Sequence, residues 1–150
     1  SITLDYAKTG TNNLTTIEET EIDNFNLSAG NSLSVDNVPP TVTFDPANNA
    51  SNIAIDSKIT ITFNEAVRKS DNSELTDADL AGILTLKETD ASGANVTFTA
   101  AIDVAKKVIT ITPTENLKNN QLYYVAITNA VEDVSDNAFA GANAVFTTLP

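Results

Sequence analysis

From Thr41 onward, apolar and polar residues alternate at every second position in short runs, and turn-forming residues separate the runs. Successive side chains of a strand point to opposite faces, so this alternation is typical of strands with one buried and one solvent-facing side. The pattern predicts an all-β chain, an Ig-like antiparallel β-sandwich of about seven strands. The seven runs are residues 41–44, 58–63, 84–87, 96–100, 109–112, 123–127 and 143–148.

One segment, "LTDADLAGI", departs from the alternation and predicts a short helix near 76–82. Thr76 can cap its N-terminus, and Asp79 follows three residues later, which is the spacing of a capping box. The carboxylate also suits the positive end of the helix dipole. Gly82 is then expected to end the helix.

The segment "ENLKNNQLYYVAI" contains the most specific fold signal. Leu117 lies before a turn-prone Lys-Asn-Asn stretch, and Tyr123 opens the next alternating run with Val125 and Ile127 as inward positions. This pattern resembles the tyrosine corner of Ig-like sandwiches, in which the tyrosine hydroxyl bonds back to the backbone. It favours that structural role for Tyr123 over that of an ordinary core aromatic residue.

The stretch "VPPTVTFDPANNASNIAIDSKITITFNEAV" resembles the opening of bacterial Ig-like domains found in surface-layer proteins and large adhesins. The resemblance continues through "LKNNQLYYVAI" and "VEDVSDNAFAGANAVFTT", so it covers residues 38–149. It implies an Ig-like domain over 38–150 in a secreted or cell-surface bacterial protein, acting as a spacer or adhesive repeat. It implies no catalytic residues and no shared ligand.

The first 37 residues have the layout of a strand, an acidic loop and a second strand. Ile2, Leu4 and Tyr6 form the first alternating run, and "SLSV" forms the last. This layout resembles the closing segment of another family of bacterial surface repeats. Residues 1–37 are therefore expected to be the closing hairpin or tail of a preceding repeat, and neighbouring repeats of the same chain are the expected partners.

Two consecutive prolines, Pro39 and Pro40, stand directly before the first run of the predicted sandwich. Proline removes a backbone donor and fixes an extended geometry, so the pair predicts a short stiff joint between the two repeats.

Charge and composition exclude several classes of function. The chain has 20 acidic and 8 basic residues, and its net charge of −12 disfavours binding to nucleic acid or anionic membranes. No apolar run is long enough to span a bilayer, so membrane insertion is not expected. Without Cys or His, the chain has no thiolate nucleophile, imidazole base or usual zinc site.

An enzyme is not predicted. The only close acidic pairs that could suggest glycoside hydrolysis are Asp77 with Asp79 and Asp133 with Asp136, and no aromatic cluster accompanies either pair. Sugar binding without catalysis stays open through Tyr124 or Tyr6 on strand faces.

Calcium is the one cofactor that the sequence suggests. Asp133, Asp136 and Asn137 cluster in one loop, and Asp36 and Asp45 lie on either side of the proline joint. Hard cations bind such oxygen ligands, although no EF-hand pattern is present. The alternative is that Asp and Asn simply form turns. A calcium-dependent module that binds a host or matrix glycan or protein is therefore the alternative to a spacer.

Threonine recurs in Thr-x-Thr pairs within the predicted strands. Such pairs could form a water-ordering array, but threonine is also favoured at outward strand positions because of its β-branched side chain. The pairs are expected to divide between the two sheets, which would prevent a single array. They are Thr41 and Thr43, Thr60 and Thr62, Thr97 and Thr99, and Thr110 and Thr112.

Overall fold

A computed structural model describes residues 36–150, which form ten strands and one short helix. In chain order, these are β1 (Val42–Asp45), β2 (Ala50–Ile53), β3 (Ile59–Phe63), β4 (Val67–Lys69), α1 (Asp77–Ile83), β5 (Leu84–Glu88), β6 (Phe98–Ile102), β7 (Val108–Pro113), β8 (Leu122–Ile127), β9 (Val131–Asp133) and β10 (Ala142–Thr148). The first sheet has the order β1-β3-β7-β6, the second β2-β10-β8-β5, and β4 pairs with β9 in a two-stranded ladder.

The inward residues of both four-stranded sheets form one hydrophobic core, which confirms the predicted all-β sandwich. On β3, Ile59 and Ile61 are fully buried, whereas Thr62 between Ile61 and Phe63 is exposed. Burial of such apolar side chains stabilises the fold by roughly 1.5–3 kcal/mol each. The second sheet contributes Leu84, Leu86, Tyr123, Val125, Ile127, Ala144 and Phe146 to the same core.

Each of the seven predicted runs overlaps a strand, and the three additional strands are β2, β4 and β9. These strands are short and do not alternate: Ser51 and Asn52 of β2 are both exposed, and all three residues of β9 are buried. Among the named strands of the described residues, the pairing of β2 with β10 is parallel, whereas the other pairings are antiparallel as expected. After β1 the chain turns at Pro46 and crosses to the second sheet, where β2 runs in the same direction as β10.

The helix begins after Thr76, as the capping box predicted. The carboxylate of Asp79 accepts hydrogen bonds from the Thr76 N–H (2.9 Å) and hydroxyl (2.6 Å). These bonds, with a further one from Lys69, lower the pKa of Asp79 to about 2. Gly82 does not end the helix, which continues to Ile83. The next residue, Leu84, begins β5 and lies opposite Ile127 of β8.

All four Thr-x-Thr pairs belong to strands of the first sheet or to the residues just before them, so the expectation that they divide between the sheets was wrong. Thr43 lies opposite Thr62, and Thr60 lies opposite Thr110. Alternation within a run shows that a strand has an outer face, but not which sheet that strand will join. The sheet is chosen by pairing between residues far apart in the chain.

Tyr123 lies at the start of β8 with its side chain fully buried. Its hydroxyl accepts a hydrogen bond from the N–H of Lys118 at 2.8 Å, and its ring stacks on Phe146 with the centroids 5.6 Å apart. Leu117 is buried, and its N–H donates to the carbonyl of Ile55 at 2.8 Å. This corner therefore ties the segment before β8 to the core.

At the start of the described residues, Pro39 is exposed and Pro40 is buried. The predicted closing hairpin of residues 1–37 lies outside the described residues except for its last two, and it stays a prediction. Among residues 36–150, no helix is long and apolar enough to cross a membrane.

Candidate metal centre

Three carboxylates converge near the segment that precedes Pro39 and Pro40. Oxygen atoms of Asp36, Glu65 and Asp133 all lie within 4.8 Å of one another. Asp36 precedes the prolines, Glu65 lies between β3 and β4, and Asp133 ends β9. The ladder of β4 and β9 brings the last two together, because Val67 lies opposite Asp133.

The side chain of Asn137 connects the loop after β9 to the segment before the prolines. Its Nδ2 donates to the carbonyl oxygen of Asp36 (3.0 Å) and to Oδ2 of Asp133 (2.7 Å). The N–H of Val38 donates to Oδ1 of Asp36 at 3.0 Å. These bonds hold the exposed carboxylate of Asp36 beside the buried carboxylate of Asp133.

Asp133 is fully buried and also organises its own loop. Its Oδ1 accepts hydrogen bonds from the N–H groups of Ser135 (2.7 Å) and Asn137 (2.9 Å). Burial alone would raise the pKa of Asp133, but the hydrogen bonds from Asn137 and Ser135 outweigh burial and hold the pKa below its usual value. The carboxylate is therefore ionised at neutral pH.

The separation of these oxygens suits one hard cation. Calcium binds oxygens at about 2.3–2.6 Å, so ligands on opposite sides of the ion are about 5 Å apart. Within residues 36–150, none of the three carboxylates forms an ion pair with Lys or Arg. Arg68 instead pairs with Glu132 and Asp136.

The fold brings together three of the five residues that the sequence suggested as metal ligands: Asp36, Asp133 and Asn137. The side chain of Asp136 pairs with Arg68. Asp45 lies at the end of β1 opposite Thr60, and it is not part of the carboxylate cluster.

Glu65 was not anticipated as a ligand. The signal that could have found it is the ending Phe-Asn-Glu after the run of β3, which places an acidic residue where that strand leaves the sheet.

A family model described as a bacterial Ig-like domain matches residues 36–148. No curated protein sequence matches the chain significantly.

Solved structures share the fold at low sequence identity. A crystal structure of the S-layer protein SbsC is 16% identical with a TM-score of 0.52, and the match covers 75% of this chain and 14% of that one. The N-terminal part of this bacterial S-layer protein is 15% identical with a TM-score of 0.52, over 75% of this chain and 24% of that one. CopC from Methylosinus trichosporium OB3b is 15% identical with a TM-score of 0.50, over 74% of this chain and 94% of that one.

Proposed function

Because this chain belongs to the family of bacterial Ig-like domains, we propose that it is a non-catalytic structural repeat of a secreted or cell-surface bacterial protein. The observation that carries the proposal is that the family match spans residues 36–148, nearly all of the described sandwich. The S-layer protein SbsC supports it, since domains of the same fold occur in that protein. In this role the packed core holds the shape of the domain, and the proline pair sets its orientation relative to a neighbouring repeat.

Antibody labelling of intact cells tests the proposed secreted or cell-surface location of the protein. Antibodies raised against residues 36–150 should label intact cells of the source bacterium without permeabilisation, or should detect the protein in the culture medium. An antibody against a cytoplasmic protein is the control and should label permeabilised cells only. Detection of this protein only after permeabilisation would contradict the proposal.

Calcium-dependent binding is the second candidate function, and the convergence of Asp36, Glu65 and Asp133 favours it. A cation bound between these carboxylates would screen their mutual repulsion and fix the segment before the prolines. It would make the joint stiffer when calcium is present. A ligand that binds only the folded state at about 100 times its dissociation constant adds roughly 2.7 kcal/mol of stability.

We expect calcium to raise the thermal midpoint of the whole chain by several degrees relative to excess chelator. Glu65→Gln should abolish this shift because it removes one ligand. In chelator the same variant should melt at or slightly above the wild-type temperature, because it relieves repulsion between like charges. Asp56→Asn, a change at an exposed turn residue outside the cluster, should keep the full calcium shift.

Two outcomes would contradict calcium binding at this carboxylate cluster. One is identical wild-type melts in calcium and in chelator. The other is a calcium shift of equal size in Glu65→Gln, which would place the effect elsewhere on this acidic chain. The structural-repeat proposal is unaffected by either.

A further inference from the structure

A hollow of about 470 Å³ lies on the outer face of the second sheet. Its floor is Ala126, an outward residue of β8 that lies between Asn143 of β10 and Thr85 of β5. The half-buried Tyr124 stands two residues earlier on the same face of β8. Ala126 and the other small lining residues, among them Ala140, Gly141 and Ala142, leave room for the concavity. Its volume is within the range of small-molecule sites.

Four of the five polar side chains around the hollow are uncommitted: within the described residues, they make no hydrogen bond to the protein. Elsewhere on the surface, Asn48 and Asn64 use their side-chain oxygens to accept backbone N–H groups. The uncommitted groups are the hydroxyls of Tyr124, Thr85 and Thr128 and the amide of Asn143.

The charge of the hollow differs from that of the whole chain. The chain carries 20 acidic residues, yet no Asp or Glu lines the hollow. Its one cationic group, Lys87, donates to the carbonyl of Ala91 at 2.8 Å. A net charge of −12 repels anionic ligands at a distance. The site therefore suits a neutral ligand with many hydroxyl groups.

We propose that this hollow binds one unit of a neutral saccharide. The ring of Tyr124 provides an apolar face with a polar tip, on which a sugar ring can stack. The amide of Asn143 donates and accepts hydrogen bonds, and the hydroxyls of Thr85 and Thr128 do the same, so they match sugar hydroxyls. The proposal goes beyond the structural-repeat function and does not depend on calcium.

Titration of the isotope-labelled full chain with chitotetraose, cellotetraose and maltotetraose, followed by amide NMR shifts, tests the proposal. At least one probe should produce saturable shifts at Ala126 and its neighbours, with a dissociation constant of about 1 mM, corresponding to about −4 kcal/mol.

Ala126→Leu fills the hollow and should weaken binding at least about tenfold. Ala101→Leu is the matched control, because Ala101 is an exposed residue of β6 opposite Thr110 in the first sheet. It should bind as the wild type does.

Three results would overturn the proposal. The first is the absence of saturable shifts at the hollow with all three probes at millimolar concentrations. The second is shifts that persist unchanged in Ala126→Leu, because binding would then occur elsewhere. The third is equal shifts with glycerol at the same hydroxyl concentration, which would indicate a general effect of polyols.

Discussion

Replacing Tyr123 by alanine is expected to lower the free energy of unfolding by about 3–5 kcal/mol, the usual cost of deleting a buried aromatic side chain. The ring is fully buried and stacked on Phe146, so its loss leaves a cavity between β8 and β10. Tyr123→Phe keeps the ring and removes only the hydroxyl. The N–H of Lys118 then loses its acceptor, and we expect a loss of about 1–1.5 kcal/mol.

Urea unfolding of both variants measures these losses of unfolding free energy. They should appear as shifts of the urea midpoint, while the dependence of the free energy on urea concentration stays constant. Tyr124→Phe is the matched control, because Tyr124 is the next residue of β8 and its hydroxyl makes no hydrogen bond within residues 36–150. It should stay within about 0.5 kcal/mol of the wild type. If Tyr123→Phe is as stable as the wild type, the bond to Lys118 does not contribute to stability.

Replacing Asp133 by alanine is expected to cost about 3 kcal/mol. The N–H groups of Ser135 and Asn137 lose their shared acceptor, and each buried donor left unsatisfied costs roughly 1–3 kcal/mol. The side chain of Asn137 also loses a partner. Asp56→Ala changes an exposed aspartate in a turn and should stay within about 0.5 kcal/mol of the wild type.

The contribution of Asp133 should also depend on pH. Its pKa is lower in the folded protein than in the unfolded chain, so the stabilisation is fully present above the unfolded value of about 4. It is lost as the pH falls through the folded value. The difference in urea midpoint between the wild type and Asp133→Ala should therefore narrow as the pH falls from 7 towards 2. A constant difference over that range would show that ionisation of Asp133 is unimportant.

Local sequence patterns predicted where most strands and the helix occur, but they did not predict which strands pair with one another. The alternation of Ile59, Ile61 and Phe63 with threonines lies within one strand, and the capping box of Thr76 and Asp79 lies within one helical turn. By contrast, the parallel position of β2 beside β10 depends on a pairing between the two ends of the domain. Alternation carries no information about that pairing.

The candidate metal centre could likewise be predicted only in part, because one of its residues is brought in by strand pairing. The sequence suggests Asp133 because acidic residues cluster in its loop and Asp36 because it lies beside the proline pair, and the fold brings the two together. Glu65 joins them only because the short strands β4 and β9 pair, and strands of three residues leave almost no periodic signal. The hollow over Ala126 could not be predicted from the sequence either, since its small lining residues come together only when β5, β8 and β10 pair.

The parallel pairing of β2 and β10 has a consequence for a domain that is pulled by its two ends. Once β1 has separated from β3, tension draws the start of β2 and the end of β10 in opposite directions along the strand axes. The hydrogen bonds between the strands, such as those from Asn49 N–H to Val145 (2.7 Å) and from Leu149 N–H to Ile53 (2.9 Å), are then loaded in shear and must break together. In a hairpin pulled at its open end they would unzip one at a time. We therefore expect the parallel pair of β2 and β10 to act as a mechanical clamp of the domain once β1 has separated from β3.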